Sequence, residues 1–193
     1  MGLKRLFRGI KSAPKPEAPT GPKKRILYVE DILTNWEICK IHLEDSYEMH
    51  HAGTTFAAID QLKAHNFDLI LMDIELQGSQ LNGIELTRLL RGRLEEVPRF
   101  AIHVQRLSTP LIFVTSHSAT YTPEALREHG ADAVLNKPVN PDELSSYVRS
   151  MLSVHRHATH EAQERQLQTE TDLRLEMELK LKLFANASHH LNN

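Results

Sequence analysis

The stretch Phe67-Asp68-Leu69-Ile70-Leu71-Met72-Asp73 decides the fold. Leu69, Ile70, Leu71 and Met72 form an unbroken apolar run, the pattern of a strand buried on both faces. Asp73 stands where that strand ends. In an open parallel sheet the carboxyl ends of the strands form the crevice that takes ligands, so this run carries a carboxylate to the mouth of a buried sheet. A lone Asp at such a place is more often a cap for the following loop. What gathers around it decides between the two.

The arrangement recurs along the chain. Upstream, Ile26-Leu27-Tyr28-Val29 is closed by Glu30-Asp31. Downstream, Leu111-Ile112-Phe113-Val114 ends in Thr115-Ser116, and residues 131–135 read as a last strand ending in Asn136-Lys137-Pro138. Residues 47–51 give a weaker strand. Helical segments lie between. Thr34 or Asn35 is a cap for a helix through Trp36, Ile38, Cys39, Ile41 and Leu43. Thr54 and Thr55 open one with Phe56, Ile59 and Leu62, and Gly83 precedes one with Ile84, Leu86, Leu89 and Leu90. Thr122-Pro123-Glu124 and Asn140-Pro141-Asp142-Glu143 are helix starts, a cap followed by proline in the first turn. Strands alternating with helices over about 25–152 predict an α/β fold, a five-stranded parallel sheet wound on both sides.

Composition agrees with a folded chain of one ordinary domain plus extra segments: 193 residues, 40% hydrophobic and 25% charged. Cys39 is the one cysteine, which excludes an intrachain disulfide and fits a reducing, cytoplasmic setting. No apolar run approaches the roughly 20 residues that span a bilayer. The net charge of -2 hides an asymmetry, because residues 1–25 carry Lys4, Arg5, Arg8, Lys11, Lys15, Lys23, Lys24 and Arg25 against Glu17 alone. Residues 1–24 read as a basic tail and a linker with Pro14, Pro16, Pro19 and Pro22. Leu3, Leu6, Phe7 and Ile10 fall at helical spacing there, so the tail is either a frayed basic end or a short amphipathic helix for weak contact with an anionic membrane surface.

Four strand ends converge at one edge of such a sheet, bringing Glu30-Asp31, Asp73, Thr115 and Lys137 together. Crowded carboxylates repel one another and become costly to ionise. A hard divalent cation relieves that cost, and Mg2+ is content with one or two carboxylates and several waters. With an ammonium and a hydroxyl beside them, the set suits phosphoryl transfer, with an aspartyl phosphate on Asp73 as the product.

Together, Ile26-Leu27-Tyr28-Val29-Glu30-Asp31, Asp68-Leu69-Ile70-Leu71-Met72-Asp73, Phe113-Val114-Thr115-Ser116 and Asn136-Lys137-Pro138 resemble the receiver domain of two-component response regulators over about 25–152. The resemblance implies a flavodoxin-like fold, with Asp73 as phosphoacceptor. It implies Asp31 and Asp73 as direct Mg2+ ligands, Glu30 through water, and Glu75 through its main-chain carbonyl. Thr115 and Lys137 are then the groups on the phosphoryl oxygens. The implied partner is a cognate histidine kinase or phosphotransfer protein, and no DNA-reading motif is found. The sequence departs from the family at three places. Val134 stands three residues before Lys137, where an aromatic that switches with the threonine is usual. The loop after Asp73 lacks Met-Pro and is longer. Residues 92–109 are long for a helix-to-strand connection, with Phe100, Ile102, Val104 and Leu107 fitting an inserted loop, a partner surface or an extra hairpin. Glu75 and His117 flank the acceptor, two residues after Asp73 and Thr115; in the family such positions gate the water that hydrolyses the phosphate.

Residues 153–193 read as a helix. Leu173, Leu175, Met177, Leu179, Leu181 and Leu183 alternate with charged residues, but all are strong helix formers. With Met177, Phe184 and Leu191 at heptad position a, Leu173 and Ala187 fall at d and Lys180 interrupts the seam. This predicts a dimeric coiled coil, hence a homodimer. The last eleven residues, Leu183-Phe184-Ala185-Asn186-Ala187-Ser188-His189-His190-Leu191-Asn192-Asn193, resemble the phosphoacceptor box of a histidine kinase dimerisation helix. That resemblance implies His189 as a second phosphoacceptor, with His190 where the family has an acid. It also makes the chain look like a truncated kinase front, without an ATP-binding segment. Three functions are therefore in play: a switching receiver, a histidine kinase fragment phosphorylated on His189, and a scaffold whose receiver no longer switches.

Overall fold

The computed structural model describes residues 21–116 and 121–191, with side chains described to Lys182. Five parallel strands run β1 (Lys24–Val29), β2 (Tyr47–Ala52), β3 (Leu69–Met72), β4 (Leu111–Thr115) and β5 (Ala133–Asn136). They stand side by side in the order β2-β1-β3-β4-β5. Five α-helices lie between and after them: α1 (Leu33–Leu43), α2 (Thr55–Ala64), α3 (Gly83–Leu90), α4 (Pro123–Glu128) and α5 (Pro141–Leu191). This is the flavodoxin-like winding expected from the sequence.

Successive side chains of a strand point to opposite faces, so each central strand feeds two cores. Leu27, Val29, Ile70, Met72, Leu111 and Phe113 face one way and pack under α2, α3 and α4 through Ile59, Leu86, Leu90 and Leu126. Ile26, Tyr28, Leu69, Leu71, Ile112 and Val114 face the other way, under Cys39 and Leu43 of α1 and Leu144 and Val148 of α5. Burial on both sides explains the unbroken apolar runs. Burial also pushes the Cys39 thiol up to about 11, which keeps it protonated and inert.

The helix starts follow local rules with one exception. Thr54 and Thr122 cap α2 and α4 through their side chains, and Asn82 with Glu85 forms a reciprocal capping box on α3. Neither Thr34 nor Asn35 caps α1; the helix begins one turn early, with Ile32 as N-cap and no side-chain bond. Asn35 is instead spent on Glu30, as described below. The last strand begins at Ala133 rather than at Ala131.

The long 92–109 connection holds no strand, so the hairpin expectation fails. It contains a 3-10 turn, Arg99–Ala101, and coil. Its apolar residues nonetheless pack: Ala101 is buried, Leu94, Phe100, Val104 and Leu107 lie against the core, and Phe100 meets Phe56 of α2 at 4.5 Å between ring centroids. Alternation here reflects a segment laid over α3 and α2 with one side inward.

Helix α5 runs unbroken through Ser153. Leu144 and Val148 bury it against the sheet, and beyond Leu152 its described side chains are exposed apart from the half-buried Ser153 and His155. The side chain of His189, the box around it, residues 1–20 and His117 lie outside the described residues. No helix among the described residues is long and apolar enough to cross a membrane.

Candidate functional site

The strand order reverses direction at β1, which lies between β2 and β3, so a crevice opens where the ends of β1 and β3 diverge. Register places the acids there. Val29 is paired with Met72, and the Asp73 amide donates to the Val29 carbonyl at 2.9 Å. Across the sheet the Lys137 amide donates to the Thr115 carbonyl at 2.8 Å. Four strand ends thereby bring Glu30, Asp31, Asp73, Thr115 and Lys137 to one edge, as the sequence predicted.

Asp31, Asp73, Glu75 and Lys137, with Ile32, Asn35, Gln77 and Ser116, line a cavity of about 80 Å³. That is room for a small ion and a few waters. Asp73 forms its floor at 6% exposure, while Glu75, Gln77 and Ser116 are exposed at its mouth. Carboxylate oxygens of Glu30, Asp31 and Asp73 all lie within 4.8 Å of one another. This is a compact set of hard oxygen donors, and it fits Mg2+ in kind and number.

Lys137 sits between two of these acids. Its ammonium donates to Asp73 Oδ2 at 2.5 Å and to Glu30 Oε2 at 2.6 Å. Burial pulls the lysine pKa down, but the bonds and charges of Asp73 and Glu30 outweigh it and hold it above its ordinary value. Burial also pushes the Asp73 carboxyl up, helped by the Glu30 charge and opposed by Lys137 and by the Ile74 amide, which donates to Oδ1 at 2.7 Å. At Asp73 burial outweighs the lysine and the amide, and that sets the direction.

Glu30 is fully buried and saturated. One oxygen accepts from Tyr28 Oη at 2.6 Å and from Lys137; the other accepts from Asn35 Nδ2 at 2.9 Å and from the Ile32 amide at 3.3 Å. A carboxylate offers about four acceptor sites, and here all are taken. Asp31 is half exposed and accepts from the Gln77 amide at 3.2 Å. Thr115 is buried at the end of β4.

Sequence reasoning missed three contributors. Tyr28 and Asn35 hold Glu30. Gly83 lies so close to the acceptor that a Cβ on it would stand 1.9 Å from the Asp73 carbonyl oxygen, so only glycine fits. The period of two placed Tyr28 on the same side of β1 as Glu30, which was the available signal. The close approach of Gly83 had none.

A family model described as the response regulator receiver domain matches residues 26–149. The chain belongs to the receiver family. This receiver is 36% identical over 134 residues to the autoinducer 2 sensor kinase/phosphatase LuxQ of Vibrio vulnificus, covering 68% of the chain and 14% of LuxQ. It is 30% identical over 115 residues to the response regulator ArlR of Staphylococcus aureus, covering 58% of the chain and 46% of ArlR. It thus spans less than half the length of either relative. Among solved structures, a CheY-like receiver domain protein of Methanospirillum hungatei superposes with a TM-score of 0.57 at 27% identity, covering 70% of this chain and 98% of that one. The receiver domain of the Francisella response regulator 1452 gives 0.58 at 22% identity, covering 68% and 98%, a likeness of fold alone.

Proposed function

We propose that this receiver takes a phosphoryl group onto Asp73 from a phosphohistidine of a histidine kinase or phosphotransfer protein. The observation that supports it is Lys137 bridging Asp73 and Glu30 beside the half-exposed Asp31, within one cavity. An Asp73 carboxylate oxygen attacks phosphorus, the P–N bond breaks, and the imidazole leaves with the electron pair and takes a proton from solvent. Asp31, Asp73 and the Glu75 main-chain carbonyl would hold Mg2+, which would supply positive charge to the phosphoryl oxygens, while Glu30, with its acceptor sites already taken, would act through its charge. Lys137 then exchanges its bond to Asp73 for a phosphoryl oxygen, and the Thr115 hydroxyl donates to another. Glu30, fixed by Tyr28 and Asn35, keeps the ammonium in place during the exchange.

The surface beside the cavity suits a helical donor. Ile32, Leu33, Ile38 and Ile41 are all at least 49% exposed on and before α1, the helix whose first turn lines the cavity. A helix apolar on both faces is ordinarily covered on both. Incubation with acetyl phosphate and Mg2+ adds one phosphoryl mass to wild type and none to Asp73→Asn; equal labelling of both would overturn the assignment.

The second part of the reading concerns α5. Residues 25–152 act as the receiver and 153–193 as a dimerising helix that carries its state to a kinase-like segment at His189. Leu173 and Met177, at heptad positions d and a and both exposed, support a homodimer seam. The uninterrupted helix through Ser153 supports mechanical coupling. Val134, half-buried in the core layer that also holds Tyr121, makes the switch differ from one built on an aromatic at that position.

A further inference from the structure

The loop between β3 and α3 is anchored so that it places one residue at the mouth of the cavity. Leu76 is buried and anchors it from below. Gly78 turns the chain with φ of 72°, and the Ser79 amide closes the turn on the Leu76 carbonyl at 3.2 Å. Ser79 Oγ accepts from the Thr55 amide, and Thr55 Oγ1 donates to the Leu81 carbonyl, which ties the loop to the start of α2. Between Leu76 and Gly78 stands Gln77, an exposed residue of the cavity lining with its backbone amide on Asp31.

A phosphoryl group on Asp73 points from the floor towards that mouth. Water that removes it must arrive in line with the bond to Asp73, on the mouth side, where Glu75, Gln77 and Ser116 are exposed. A carboxylate there repels the phosphoryl oxygens. A carboxamide does not: its oxygen accepts from the water while its N–H donates to a phosphoryl oxygen, which aligns the two reactants.

We propose that Gln77 is a catalytic residue for loss of the phosphoryl group, orienting the attacking water and so setting the lifetime of the phosphorylated receiver. The water oxygen bonds to phosphorus, the P–O bond to Asp73 breaks, and Asp73 leaves as a carboxylate with the electron pair. The water proton passes to solvent, and orthophosphate departs. This rests on Asp73 as the acceptor.

The test uses the full chain labelled with acetyl phosphate, freed of reagent and kept in saturating Mg2+, with intact mass followed over time. Gln77→Ala keeps the amide on Asp31 and changes only an exposed side chain. Its phosphoryl half-life is expected to lengthen about tenfold, the scale of losing one orienting contact. Gln77→Glu is expected to lengthen it too. Mg2+ affinity, read from the fluorescence of Trp36, is expected to stay at the wild-type value. Trp36 is the one tryptophan, and it stacks on His51, whose ring nitrogen bonds the Glu30 carbonyl. An unchanged or shorter half-life in Gln77→Ala overturns the role while leaving the acceptor in place. So does a longer half-life matched by an equal loss of Mg2+ affinity. Absence of any label on wild type overturns the acceptor reading, and this role with it.

Discussion

Asp73 is buried and Lys137 half-buried, and each acts on the other's charge. Burial raises the Asp73 carboxyl above its ordinary range, so the ionised acid costs stability at neutral pH, and that cost disappears as pH falls through the raised value. Asp73→Asn is therefore expected to raise Tm at pH 7 by about 2–4 °C, the shift that about 1 kcal/mol gives a chain of this size, with the gain shrinking towards pH 4. A Tm below wild type at pH 7 would contradict it. Lys137 is raised as well, so its contribution is complete at neutral pH and is lost only as pH climbs through its folded value, in alkali. Gly83 gives a second residue-scale prediction. Any Cβ there drives into the Asp73 main chain, so Gly83→Ala is expected to displace the acceptor and cut labelling by more than about tenfold, with a loss of stability seen in denaturant titration.

Among the elements, the central strands and their polar ends were legible because both depend on patterns the sequence states outright: doubly buried runs, closed by acids after β1 and β3, a threonine at β4 and a lysine after β5. The connections were less so. Asn35 looked like a helix cap, since Asn serves that role whenever nothing better is near, yet a buried carboxylate five residues back took its amide. The 92–109 segment alternated like a strand, but it covers a helical layer and has no neighbouring strand edge to join. Arg91 holds its far end: the guanidinium donates to the carbonyls of Gly130, Leu107 and Thr109 and to Asp132 Oδ2. Burial lowers the arginine pKa, although Asp132 opposes this, and the side chain remains charged throughout the accessible range. Arg91→Ala orphans several acceptors and is expected to cost about 2 kcal/mol in denaturant titration, with new proteolytic cleavage between residues 92 and 109. Unchanged cleavage would show that Phe100 and its apolar neighbours hold the segment alone.

For the whole molecule the decisive feature is α5. Its 51 residues extend about 75 Å at about 1.5 Å per residue, starting four residues after Lys137 at the rim of the cavity. In the proposed reading, a change at Lys137 would be made next to the start of the helix on which His189 lies. The exposed leucines divide between sides: Leu173, Met177 and Leu181 follow one face, while Leu175 and Leu179 lie on the opposite one. In the proposed homodimer, Leu173 and Met177 on the first face would form the seam. Leu173→Asp with Met177→Asp is expected to give a monomer in sedimentation velocity where wild type is a dimer, with labelling of Asp73 unaltered. A monomeric wild type would remove the seam and leave the receiver chemistry standing. That chemistry is the centre of the account, and locating the phosphoryl group tests it most directly. Borohydride reduces an acyl phosphate to an alcohol, which turns a phosphorylated aspartate into homoserine. After treatment with acetyl phosphate and Mg2+, reduction and peptide mass mapping, the account predicts homoserine at position 73 and nowhere else. Homoserine at Asp31, the corresponding reduction product at Glu30, or none at position 73 would contradict it.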